Sequence, residues 1–208
     1  MLTRSKIILT ENHDQFLKPQ RNHTHKNKER YIENIERQFK MLENNLPNKC
    51  TNLLSIGCGL AVPELTFYEY YNKNINFFLF DKTLIDEKIH FGYQKTASFY
   101  NNLDDAKNIY LKYGVHEKNI NLINAENKNL ENLPQMDIIV SFIAWGFHFP
   151  LITYLDNVIK LMHNNTILII DIRKTNDTTT EKLISEYFKI IKKIEGSKSD
   201  RYIFKLNL

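Results

Sequence analysis

The sequence predicts an α/β protein, with a mostly parallel sheet wrapped by helices on both faces. Three observations carry that expectation. Short apolar runs alternate with amphipathic stretches from Leu53 to Phe188, the pattern of strands joined by crossover helices. The first of these runs, NLLSIGCGLA, stops at Gly57 and Gly59, just ahead of Pro63. The tail KIIKKIEGSKSDRYIFKLNL reads as two strands meeting at Gly196, a hairpin that puts an antiparallel strand at the end of the order.

Taken in order, ERYIENIERQFKMLENN sets Ile32, Ile35, Phe39 and Leu42 at helical spacing, and Leu46-Pro47 ends that helix. Leu53–Ile56 is a buried strand, and Val62–Tyr71 a helix with Pro63 in its first turn. Asn76–Phe80 is a strand again, and Ala97–Tyr113 a helix closed by Gly114. Ile120–Ile123 is a short strand and Met136–Phe142 a strong one. A helix follows Pro150 to about Met162, then come the strand Thr166–Ile172 and the helix Glu181–Phe188. The first 48 residues precede the alternation, so residues 1–48 are expected to form a helical cap or lid over a domain of residues 49–208.

Composition narrows the functional classes. A chain of 208 residues, 42% hydrophobic and 25% charged, suits one globular core. No apolar run approaches the roughly 20 residues that cross a bilayer. The N-terminal MLTRSKIILTENHD has only a short apolar patch before Glu11 and Asp14, which argues against a secretory signal. Cys50 and Cys58 are too few for a disulfide framework or a zinc site, so a cytoplasmic protein without a structural metal is expected. The net charge of +4 is mild but uneven. Lys18, Arg21, His23, His25, Lys26, Lys28 and Arg30 crowd one stretch. Lys189, Lys192, Lys193, Lys198 and Arg201 crowd another. Such groups either hold an anion or a nucleic-acid backbone, or are a solvated surface.

The glycine turn carries the chemistry. In an open parallel sheet, ligands settle beyond the carboxyl ends of the strands, near the switch in strand order. Gly57 and Gly59 let the main chain bend tightly and let a ligand come against it, and the helix opened by Pro63 points N–H groups at the same space. The next strand ends at Asp81, roughly 20 residues on, where a carboxylate can accept hydrogen bonds from a ribose diol. A nucleoside-bearing cofactor follows. A dinucleotide is disfavoured because Val62 stands where G-x-G-x-x-G needs its third glycine.

LLSIGCGLA, FLFDKT, NLINAEN, MDIIVSFIAWGFHF and ILIIDIRK, in that order, resemble the class I S-adenosylmethionine-dependent methyltransferases over about residues 50–208. The resemblance implies a Rossmann-like seven-stranded sheet with its last strand antiparallel, and S-adenosyl-L-methionine as cofactor, leaving as S-adenosyl-L-homocysteine. It implies that Gly57, Cys58 and Gly59 line the methionine side, that Asp81 holds the ribose hydroxyls with Lys82 beside it, and that Asn124, Ala125 and Glu126 sit by the adenine. In this picture Asn124 offers its side-chain amide and Ala125 a backbone N–H. Ser141 closes the cofactor side. The chain departs from the family in having Ser55 where an acidic residue usually stands two before the first glycine.

Methyl transfer from a sulfonium requires alignment, exclusion of water and an acceptor lone pair, with a base where the acceptor is a hydroxyl. The segment Ser141–Pro150 leaves a central strand and holds the only tryptophan. His148 is the expected base and Tyr154 a second candidate; Trp145 and Phe147 either wall the acceptor pocket or pack beneath it. Arg21, His23 and His25 are expected to face the site from the N-terminal segment and hold a substrate anion. The loop lacks both the Asn/Asp-Pro-Pro-aromatic run of exocyclic-amine enzymes and the Pro-Cys pair of C5-pyrimidine enzymes. It looks more like small-molecule O-methyltransferases of bacterial capsular polysaccharide pathways. The resemblance implies a methyl acceptor that is a small anionic molecule such as a sugar, sugar phosphate or phosphoramidate. An RNA methyltransferase and a non-catalytic cofactor-binding regulator are the alternatives.

Overall fold

A computed structural model of the chain describes residues 6–24, 28–85, 100–126, 130–174 and 178–207. Two helices, α1 (Glu11–Thr24) and α2 (Lys28–Lys40), lead into β1 (Asn52–Ile56), α3 (Leu65–Tyr70) and β2 (Asn76–Asp81). Then come β3 (Leu84–Ile85), β4 (Tyr100–Asn101), α4 (Leu103–Tyr113), β5 (Ile120–Asn124), β6 (Met136–Ser141) and β7 (Ala144–Phe149). The chain ends with α5 (Leu155–Leu161), β8 (Met162–Arg173), α6 (Thr178–Tyr187), β9 (Phe188–Ile194) and β10 (Ser199–Leu206).

Seven strands form one sheet in the order β5-β2-β1-β6-β8-β10-β9. The first five are mutually parallel, and β10 runs antiparallel between β8 and β9. The terminal hairpin expected from Gly196 therefore closes the sheet, its second strand inserted inside its first. Strand order turns at β1, which has β2 on one side and β6 on the other. The chain crosses from β1 to β2 on one side and later returns from β5 to β6 on the other, and this reversal opens a crevice at the carboxyl end of β1.

β1 is buried on both faces, as a central parallel strand must be. Leu53 joins a cluster that also holds residues of α1, α2, α3 and α4. Leu54 and Ile56 join a cluster with residues of α5 and α6. The N-terminal segment shares the first of these cores: Ile35 and Phe39 of α2 are buried, and Phe39 meets Phe67 of α3 edge-on at 5.1 Å between ring centres.

Three elements differ from expectation for local reasons. α3 starts at Leu65 and not Val62, because Cys58–Glu64 is spent on tight turns, with the Ala61 N–H on the Cys58 carbonyl and Ala61 itself at φ 52°. α4 starts at Leu103, where the Asn102 side chain accepts the Asp104 N–H; the expected start at Ala97 lies outside the described residues. Ser141–Pro150, read as a loop, contains the extended β7.

Three of the five C-terminal basic residues, Lys192, Lys193 and Arg201, have partners within the fold. Lys193 and Lys174 bracket Asp200 at 3.0 and 3.1 Å, Lys192 donates to the Met41 carbonyl, and Arg201 lies half-buried against Asp171. Lys189, Lys193 and Lys198 are exposed, in keeping with a solvated surface, while Arg201 is drawn into the fold. No described helix is long and apolar enough to cross a membrane, and the described residues contain no group of metal-ligating side chains.

Candidate active site

The site is built where β1 ends beside β2. The Gly57 and Cys58 N–H groups both donate to the Phe80 carbonyl, at 2.8 and 3.3 Å. The next amide, Gly59, donates to Asp81 Oδ2 at 2.7 Å, and the Lys82 N–H donates to Oδ1 at the same distance. One carboxylate thus fastens the glycine turn to the end of β2. Burial lifts Asp81 to about 6, against the pull of those two amides toward the ionised form. A carboxylate has about four acceptor positions, so each oxygen keeps one for a further donor.

Gly57 is needed for a reason other than ligand approach. It sits at φ 67°, and a Cβ there would meet the Ala144 Cβ at 2.2 Å. The space its missing side chain leaves is taken by the start of β7, which corrects the expectation that both glycines bare their main chain to a ligand. Cys58 is buried and its thiol is pushed well above the ordinary range, chiefly by desolvation. It packs; it does not react.

Sequence reading missed Glu64. Its carboxyl accepts the Ser55 hydroxyl at 2.6 Å, it is 2% exposed, and its second oxygen has no partner. Burial raises it to about 7, against the Ser55 bond and the charge of Arg201. Where the resemblance leaves Ser55 in place of an acid, the helix side supplies the carboxyl and the strand supplies its hydrogen bond. The signal was there to read: a glutamate inside an otherwise apolar run, VPELTF, where a strand-to-helix turn would bury it.

Around the far side of the turn the expected contacts are partly pre-empted. The Ala125 N–H already donates to the Asp81 carbonyl at 2.9 Å, which corrects its assignment as a donor to adenine. Asn124 Oδ1 accepts the Glu126 N–H at 2.9 Å, closing an Asx turn and leaving its NH2 group as the donor; Glu126 is exposed. Ser141 is 0% exposed and its hydroxyl is spent within the chain, donating toward the Ile56 and Trp145 carbonyls and accepting the Trp145 N–H. It splices β1 to β7 and has no surface to offer a cofactor.

β7 lies along the end of β8. A Cβ on Gly146 would meet the Asp171 carbonyl at 3.0 Å, and the Arg173 guanidinium lies 5.8 Å from the centre of the Phe147 ring. Trp145 is fully enclosed, its indole N–H on the Leu151 carbonyl at 2.7 Å. It therefore packs beneath the site and does not wall it. Phe147 and His148 are both half-buried, with ring centres 4.9 Å apart. Burial, and then the charge of Arg173, hold His148 below the usual 6.5, so it is neutral at physiological pH. Its Nδ1 is buried without a partner. Tyr154 stands on Phe80 at 5.3 Å, its phenol raised by burial and by Asp81. A phenol held protonated is a donor, so Tyr154 is poised to give a hydrogen bond and not to take up a proton. The side chains of Arg21 and His23, which ride on α1, and the whole of His25 lie outside the described residues.

Comparison with solved structures places this architecture. A S-adenosylmethionine-dependent methyltransferase from Clostridium acetobutylicum superposes with a TM-score of 0.59 at 12% identity, over 94% of this chain and 99% of that one. The ribosomal protein L11 methylase of Lactobacillus delbrueckii subsp. bulgaricus gives 0.58 at 13%, over 81% and 76%. The precorrin-6y C5,15-methyltransferase of Geobacter metallireducens gives 0.51 at 16%, over 83% and 87%. No protein-family profile and no curated protein sequence matches the chain. The fold is that of the class I S-adenosylmethionine-dependent methyltransferases. Nothing in these comparisons carries the finer resemblance to capsular polysaccharide enzymes.

Proposed function

We propose that the protein is a methyltransferase that binds S-adenosyl-L-methionine across the ends of β1 and β2 and methylates an oxygen of a small anionic acceptor held against β7. The observation that carries the reading is the Asp81 carboxylate, which holds Gly59 and Lys82 by their amides and keeps an acceptor position on each oxygen beside the switch point of the sheet. The residues present fit that cofactor. Asp81 can take both ribose hydroxyls, Asn124 has an NH2 group for the base, and two buried carboxyls, Asp81 and Glu64, favour a donor that carries positive charge. When bound, the cofactor supplies an electrophilic methyl group on a sulfonium.

The chain's own part is positioning and proton removal. β6 separates β1 from β8, so the glycine turn and the end of β8 stand about 10 Å apart across the sheet. β7 crosses that span, starting against Gly57 at Ala144 and carrying Phe147 and His148 beyond it, where an acceptor would lie between the cofactor and His148. A neutral imidazole can take a hydroxyl proton as the new bond forms, and Arg173 close by supplies the field that an anionic acceptor would meet. Calorimetry with S-adenosylhomocysteine tests the cofactor half: micromolar binding by the wild type and roughly 100-fold weaker binding by Asp81→Asn are expected from two lost charge-assisted hydrogen bonds. Equal binding by the two proteins overturns the ribose assignment. A labelled-methyl screen over sugars, sugar phosphates and RNA then tests the acceptor, with RNA labelling alone favouring the nucleic-acid reading.

A further inference from the structure

The turn between β6 and β7 holds a residue badly suited to it. Ile143 lies at φ 55°, in the left-handed region that a β-branched side chain avoids, and is 54% exposed, so its own burial does not keep it there. Something else fixes the bend. The Ile143 N–H donates to Asp171 Oδ2 at 3.2 Å. That carboxylate is also held by Arg201, Nε on Oδ1 at 2.7 Å and an NH2 nitrogen on Oδ2 at 2.8 Å, the parallel two-point pairing of guanidinium with carboxylate. The same guanidinium lies 4.4 Å from the centre of the Phe142 ring, and its remaining terminal nitrogen donates to Gln38 Oε1 of α2 at 3.0 Å. Asp171 is 3% exposed, so both charges are largely withdrawn from water and hold each other strongly.

We infer that Arg201 and Asp171 are positioning residues of the acceptor side of the site: a braced ion pair that locks the Phe142–Ile143 bend and thereby seats β7, with Phe147 and His148, against the glycine turn. The geometry runs in one line. Arg201 fixes Asp171, Asp171 fixes the Ile143 amide, and the next residue, Ala144, fills the space left open at Gly57. Gln38 ties the N-terminal helices to the same brace, so α2 reaches the rim of the site through this residue. The role assigned to β7 rests on the methyltransferase reading; the brace itself does not.

The test therefore needs no ligand. Amide hydrogen exchange over residues 141–149 and NMR titration of the His148 ring are measured in the wild type, Arg201→Met, Arg201→Lys and Asp171→Asn. Arg201→Met and Asp171→Asn are expected to speed exchange of that segment about tenfold relative to the strands β1, β2 and β5, the loss of one charge-assisted bond. Arg201→Lys, which keeps the charge but not the two-point grip, falls between. The His148 midpoint moves up toward the ordinary histidine value in the Met variant as the ring gains water. Unchanged exchange and an unmoved His148 midpoint in folded Arg201→Met overturn the proposal, and Asp171→Asn or Arg201→Lys decides it if the Met variant does not fold. S-adenosylhomocysteine affinity, measured alongside, is expected to stay within about threefold, because Asp81 is untouched. A wild type that fails to bind it would sink the cofactor reading and leave the brace to stand or fall on the exchange data.

Discussion

Asp81 and His148 are shifted by the same physical cause, loss of water, in opposite senses. Burial disfavours the charge on each, so the acid goes up and the imidazole goes down. For Asp81 the folded-state value of about 6 exceeds the usual 3.8. The folded protein then holds more protons than the unfolded chain between those values, and this group's contribution to stability falls as pH rises through that window. Ligand binding runs the other way, because ribose hydroxyls need the ionised acceptor. S-adenosylhomocysteine affinity is accordingly expected to drop about tenfold per pH unit below about 6, and a flat profile from pH 7 to 5 would remove Asp81 from the contact. His148 takes up its proton only at a pH beneath its usual 6.5, so the acid limb of turnover attributable to it lies beneath that value. His148→Gln is expected to cut turnover roughly 100- to 10,000-fold while sparing cofactor affinity. Full turnover by that variant would exclude a base at this position. Asp81 could be read from its distance to Gly57 and Gly59 along the chain, since β1 and β2 are adjacent and each short. Glu64 could not be assigned that way. Its burial follows from how α3 is set back by the tight turns after Cys58, which no periodicity reports.

At the scale of elements, the central strands β1, β2, β6 and β8 were legible because they are apolar on both faces and bounded by turn residues, and β9 and β10 because Gly196 splits two runs of strand character. β7 was not. AWGFHF has no alternating pattern, and what makes it extended is non-local: Ser141 pinning the Trp145 amide, Asp171 pinning Ile143, and Gly57 making room for Ala144. Of the two readings of Trp145, packing beneath the pocket is the one its inward hydrogen bond supports, while Ser141 was assigned to the cofactor although its hydroxyl faces inward. Gly57→Ala tests the seating of β7 against the turn. The left-handed backbone costs about 1–2 kcal/mol for alanine and the clash with Ala144 roughly as much again. A loss of about 3 kcal/mol in denaturant unfolding, with a red shift of Trp145 emission in the folded protein, is expected. A loss under about 1 kcal/mol would show that β7 yields easily and is not seated there.

For the whole molecule, the parallel sheet and its terminal hairpin followed from alternation and from Gly196, and the comparison with solved methyltransferases agrees with the seven-stranded topology. The first 48 residues were read as a lid apart from the sheet domain. Their apolar side chains share a core with α3 and α4, and Gln38 reaches Arg201 at the rim of the site. We propose on that basis that they cap the site as a fixed part of the fold. Phe39→Ala, which empties a 2%-exposed ring site against Phe67, is then expected to cost about 3–5 kcal/mol and to lower one cooperative transition. Two separated transitions would mark an independent lid.

The most direct measurement is a crystal structure of the protein grown with S-adenosylhomocysteine. Density for the ribose with both hydroxyls within hydrogen-bond distance of Asp81, and the sulfur directed toward β7, is the result expected. A nucleoside bound away from the ends of β1 and β2, or a glycine turn that stays closed against it at saturating ligand, would contradict the assignment of this crevice as a methyl-donor site.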